Sequence, residues 1–191
     1  MELAVAIATV IIDLQVDFFV SHPRLIRSRP SLASHVNALV ADAKQNHSPI
    51  FWIKQVFAPD LQDAPIDVRQ GGHRITVEGT AGVELLPELV VAPSDFVIIK
   101  KRYSGFFGTE LDSILRTNNI QRIVIAGINT HACVRMTAID AYQRDYEVFL
   151  ASDCIDSYDE QHHAVSMRYL NGTIATAMTN EELRALLQSH R

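Results

Sequence analysis

Short, wholly apolar runs that stop on a polar residue constrain this chain more than any other feature. Residues 5–12 read VAIATVII and stop on Asp13, and residues 96–99 read FVII and stop on Lys100. Ile50-Phe51-Trp52-Ile53 runs on through Gln55, and residues 122–126 and 147–151 repeat the pattern. Apolar residues at every position, rather than at alternate ones, suit a strand buried on both faces. Stretches of helical spacing lie between these runs. They cover residues 31–46 behind a Pro30-Ser31 start, then 109–117, 132–144 and 160–170. A last helix starts near Thr179, where Glu182 three residues on completes a capping box. With a weaker sixth run at 173–176, the pattern predicts an α/β fold. The expected form is a Rossmann-like three-layer α/β/α arrangement with a mostly parallel sheet of about six strands.

The exception is 57–82, rich in Pro, Asp and Gly, which reads as a long excursion of the kind that forms lids or binding loops. No repeat, low-complexity tract or linker interrupts the 191 residues, so the reading is a single domain over 1–191. The net charge of −5 is modest and the basic residues are scattered, which makes nucleic acid and acidic membranes poor partners. No apolar run reaches the roughly 20 residues that span a bilayer. The start, Met1-Glu2-Leu3-Ala4-Val5, lacks a basic leader segment, so the expected location is cytoplasmic. Cys133 and Cys154 are the two cysteines, too few for a disulfide scaffold or a thiolate zinc site.

In parallel sheets, ligands sit beyond the carboxyl ends of the strands. The residues just past the predicted ends are Asp13, Gln15 and Asp17, then Gln55, then Lys100, then the segment from Gly127 to Cys133. An acid, a lysine and a cysteine therefore arrive at one rim. Cys133 falls at the first turn of a predicted helix, where the helix dipole and free N–H groups are expected to depress its pKa. The same N–H groups can hold an oxyanion. A carboxylate ending an apolar strand is costly unless paired, and Lys100 is its candidate partner. The three together supply a nucleophile, a base and an electrostatic helper.

Three segments resemble the isochorismatase-like hydrolases. Asp13-Leu14-Gln15-Val16-Asp17-Phe18 is similar to their opening D-x-Q-x-D-F signature. Lys100 through Leu111 is similar to K-x-x-Y-S-A/G-F-x-x-T-x-L, and Gly127 through Val134 to the nucleophile turn G-I/V-x-T-x-x-C-V. The resemblance implies Asp13, Lys100 and Cys133 as a catalytic triad, with Lys100 rather than Lys101 in register. It implies a cis peptide at Ile128–Asn129 and an oxyanion hole from the N–H groups of Asn129 and Cys133. It also implies a homodimer or homotetramer acting on a small-molecule substrate. Nicotinamidases of this superfamily carry a D-x-H metal motif after the second strand. Here that stretch reads Ile53-Lys54-Gln55-Val56-Phe57-Ala58, so no metal and no cofactor is expected. Retention of the cysteine favours acyl transfer through a thioester, on an amide, ureido or carbamoyl compound, over vinyl-ether cleavage of the isochorismatase type. A thiol redox or binding protein on the same fold is the rival from another class.

Phe18, Phe19, Trp52, Gln55, His73 and Tyr103 are the candidate pocket residues near the rim. His131, two positions before the nucleophile, is expected to point away, and Cys154 to pack. The neighbours His162 and His163 diverge by about 100° on a helix and read as a solvated face.

Overall fold

The computed structural model describes residues 6–72 and 74–189. Among these, six strands form one sheet: β1 (Ala6–Ile12), β2 (Ile50–Gln55), β3 (Phe96–Lys100), β4 (Ile120–Gly127), β5 (Glu147–Ile155) and β6 (Thr176–Met178). Their order is β3-β2-β1-β4-β5-β6 and every neighbouring pair is parallel. The helices are α1 (Pro23–Gln45), α2 (Ile66–Gly71), α3 (Leu111–Thr117), α4 (Arg135–Tyr142), α5 (Glu160–Leu170) and α6 (Asn180–Gln188). No helix among the described residues is long and apolar enough to cross a membrane.

Side chains alternate across a strand, and here both faces are covered. Ile7 and Ile11 of β1 pack with Leu25, Val36 and Leu39 of α1 and with Leu183 and Leu187 of α6. Ala8, Val10 and Ile12 face the other way, with Leu111 of α3, Ala138 of α4 and Leu170 of α5. This double burial is the reason β1, β2 and β4 carry apolar residues at consecutive positions; the edge strand β3 departs from the expectation, with Val97 and Ile99 49% and 41% exposed on one face.

Several boundaries differ from the sequence reading. The first helix starts at Pro23, not at Ser31, and runs through Pro30. A proline inside a helix costs about 3 kcal/mol. Full burial of Leu25, worth about 1.5–3 kcal/mol, rewards the earlier turn. The Ser31 hydroxyl also donates to the Ser28 carbonyl at 2.9 Å. Strand β5 continues to Ile155 instead of stopping at Ala151, and β6 lies at Thr176–Met178 rather than 173–176. The excursion is not irregular. It holds α2, and a small core of Phe57, Leu61, Ala64 and Val77. Backbone bonds between Phe57, Thr76 and Glu78 pin its two ends together.

The order reverses at β1, whose chain continuations β2 and β3 lie on one side and β4 on the other. That switch opens a crevice beyond the ends of β1 and β4.

Candidate active site

Three chain ends converge in that crevice, each through a local backbone device. Asp13 leaves β1 with φ +55, a left-handed turn that Asp tolerates better than most residues, and its N–H donates to the Ile53 carbonyl at 2.9 Å. Gly127 ends β4 with φ +110, and a Cβ there would stand 2.0 Å from the Ile12 carbonyl oxygen, so only glycine fits. The next peptide, Ile128–Asn129, is cis. A single π-type turn, Thr130–Val134, then carries Cys133 into α4.

The turn is clamped from two sides. The Thr130 N–H and hydroxyl both donate to the Asp156 carbonyl, at 3.1 and 3.0 Å, and the Tyr158 N–H donates to Asn129 Oδ1 at 3.2 Å. The Thr137 hydroxyl donates to the Cys133 carbonyl at 2.7 Å and accepts from the Gly105 N–H at 2.9 Å. Gln15, fully buried, bonds the Gln55 backbone from both ends of its amide and also reaches the Val83 carbonyl.

Lys100 sits at the centre of the floor. Its Nζ lies 2.8 Å from Asp13 Oδ2, and donates to Cys133 Sγ at 3.4 Å and to the Arg102 carbonyl at 3.2 Å. The Lys100 and Asp13 side chains are 0% and 1% exposed. Neither Asp13 oxygen has a well-angled hydrogen bond among the described residues, so the contact with Lys100 is an ion pair with lone pairs left to take a proton. Burial pushes the Asp13 carboxyl above its ordinary value, against the pull of Lys100 and Cys133. Burial alone would lower Lys100, but Asp13 and the thiol hold it above its usual value. The Cys133 thiol is not depressed as its place before a helix suggested. Burial first, and the Asp13 charge second, push it up. Cys133 is 4% exposed and lies beside a carboxylate, and these effects outweigh Lys100.

Cys133 lines a cavity of about 620 Å³, a size suited to a small molecule. Of the expected pocket residues, Phe18, Gln55 and Tyr103 line it. Phe19 and Trp52 do not. Phe19 points into the α1 layer, and Trp52, in mid-strand, is fully buried there with its Nε1–H on Asp95 Oδ2 at 3.0 Å. His73 lies outside the described residues. His131, expected to point away, lines the cavity, its ring held against Ser157 and Tyr158 just past β5. His162 also lines it, and His163 is not on a solvated face: its Nδ1 meets the Thr130 hydroxyl at 2.7 Å. Cys154 is buried, with Sγ 3.2 Å from Asn180 Oδ1.

His22, Ile75, Met136, Tyr158 and Asp159 complete the walls and were not singled out from sequence. The rule of strand ends reaches Tyr158 and Asp159 once β5 is extended to Ile155. Nothing local marks the others. Among the described residues no three His, Cys, Asp or Glu side chains are grouped to hold a metal ion.

Comparison with known proteins agrees with this fold. The family model described as isochorismatase domain matches residues 7–182. The uncharacterized isochorismatase family protein YaaI of Bacillus subtilis (strain 168) is 27% identical over 176 residues, 92% of this chain and 94% of that protein. A crystal structure of an isochorismatase family protein from Desulfovibrio vulgaris superposes with a TM-score of 0.87 at 25% identity, covering 96% of this chain and 98% of the other. N-carbamoylsarcosine amidase from Thermoplasma acidophilum gives 0.78 at 26% identity, with 92% and 97% covered.

Proposed function

The chain belongs to the isochorismatase family of hydrolases, and from that premise we propose that it cleaves a C–N bond of a small amide, ureido or carbamoyl compound through a thioester on Cys133. The observation that carries this reading is the floor itself. Lys100 links a carboxylate at 2.8 Å to a sulfur at 3.4 Å, both buried, at the base of an open cavity. The likeness to N-carbamoylsarcosine amidase supports a carbamoyl or amide carbonyl as the group attacked.

At rest Cys133 is a protonated thiol. As Sγ bonds to the carbonyl carbon, its proton passes to Asp13. The negative charge moves to the carbonyl oxygen, which the N–H groups of Asn129 and Cys133 receive. When the C–N bond breaks, Asp13 gives that proton to the departing nitrogen, and ammonia or an amine leaves. A water molecule then adds to the thioester and gives a proton to Asp13. Collapse breaks the C–S bond, releases the acid, and returns the proton to sulfur. Lys100 keeps its charge throughout, offsetting whichever of Asp13 or Cys133 is anionic.

The test is ammonia release across a panel of small amides, ureides and carbamoyl compounds, with wild type beside Cys133→Ala. Release from one compound by wild type alone is expected. Equal release by both proteins would remove Cys133 from the mechanism.

A further inference from the structure

Lys100 is 0% exposed and enclosed by Asp13, Cys133 and the Arg102 carbonyl, so it does not reach the part of a substrate away from Cys133. A second polar group on the substrate must therefore be met at the mouth of the cavity. His131 stands there, held by Ser157, whose side chain is fully buried. Ser157 Oγ lies 2.7 Å from His131 Nδ1 and 3.4 Å from the Asp159 N–H, which it accepts. A buried hydroxyl proton needs an acceptor, and His131 Nδ1 is the one the described residues provide. Nδ1 thus accepts, and the neutral ring carries its proton on Nε2. Burial, with His162 and His163 nearby, lowers the His131 pKa against the opposing pull of Asp159 and keeps the ring neutral. Among the described residues Nε2 has only the Tyr158 hydroxyl, at a long 3.3 Å, while the ring stands edge-on to Tyr158 at 5.0 Å and lies 5.6 Å from His162.

We propose that His131 is a specificity-determining residue, whose Nε2–H donates to an oxygen acceptor, a carbonyl or carboxylate, on the part of the substrate that does not react. This inference rests on the reading that an amide-type carbonyl is attacked at Cys133. It narrows the substrates to amides with a second oxygen acceptor, such as half-amides of dicarboxylic acids and ureido or carbamoyl acids. Simple alkyl amides are disfavoured.

The test separates binding from turnover by calorimetry on the Cys133→Ala protein with three probes sharing one reactive amide: succinamate, 4-oxopentanamide and butyramide. A hydrogen bond of this kind corresponds to roughly tenfold in affinity. Succinamate and 4-oxopentanamide should bind about tenfold tighter than butyramide. Adding His131→Phe should bring the three within about twofold, and His131→Gln, which restores an N–H donor, should recover part of the difference. Long-range ¹H–¹⁵N spectra of the resting protein should show the His131 proton on Nε2. Equal binding of the probes by the parent, binding of none of them, equal loss of all three in His131→Phe, or a proton on Nδ1 would each overturn the proposal. If wild type forms no thioester while the affinity ratio holds, the Cys133 reading fails and the His131 subsite stands. If the thioester forms without the ratio, the reverse is true.

Discussion

The floor and the mouth of the cavity are built on opposite terms. The floor is three charged or ionisable groups with 4% exposure or less, each delivered by the end of a strand or the turn after it. The mouth is a set of rings from separate loops and turns. His22 stacks on Tyr158 at 4.5 Å, Tyr158 meets His131 edge-on, and Tyr103 is half exposed. Buried charges are tolerated only with partners close by, so changing one floor residue strands the others. His22, Tyr103 and Tyr158 keep much of their water, and substitution there costs less stability than at His131, on which the buried Ser157 hydroxyl depends. Chemistry is set where substitution is expensive, and choice of substrate where it is cheaper.

The comparison is open to being broken from the floor downward. The largest expected effect is from Asp13→Asn, which keeps shape but cannot take the thiol proton. Turnover should fall by about 10³-fold or more, read as kcat on the best compound of the amide panel. A fall of less than about tenfold would place the base elsewhere.

Next comes Lys100→Met, which leaves the Asp13 carboxylate buried and unpaired. We expect a loss of about 3–5 kcal/mol in urea unfolding together with loss of activity. Unchanged stability would mean that the floor is wetter than its burial implies.

The pH dependence follows in size. Asp13 must be ionised to accept a proton, and burial raises its pKa above the ordinary 3.8. The acid limb of kcat/KM should therefore have its midpoint above 3.8, with activity rising as pH rises through it. A profile flat down to the ordinary carboxylate range would contradict the raised value.

The smallest effect belongs to the mouth. His22→Ala loses one exposed ring stack and should cost under about 1 kcal/mol in stability. Its influence should appear in KM, with kcat within about threefold. A large fall in kcat alone would erase the distinction between the two regions.

The same contrast explains what was legible in sequence. The layers and the parallel sheet follow from apolar residues at consecutive positions, and β4 and α5 lie close to where the pattern put them. The floor was legible because a carboxylate or lysine closing an apolar run is physically conspicuous. The raised pKa of Cys133 was not, since it comes from burial and the neighbouring Asp13, which its place before a helix does not reveal. Trp52 misled because nearness to a strand end in sequence did not say which face it took, and it faces α1. His22 just before α1, Ile75 in the excursion and Met136 in α4 are far apart in sequence and meet only in the folded chain. No spacing could have grouped them.

Intact-mass analysis of wild type, acid-quenched during turnover of the most active panel compound, tests the central claim most directly. The account predicts an added mass equal to the acyl group, mapped by digestion to the peptide holding Cys133 and absent from Cys133→Ala. Steady turnover with no adduct at any quench time, or an adduct that persists in Cys133→Ala, would contradict it.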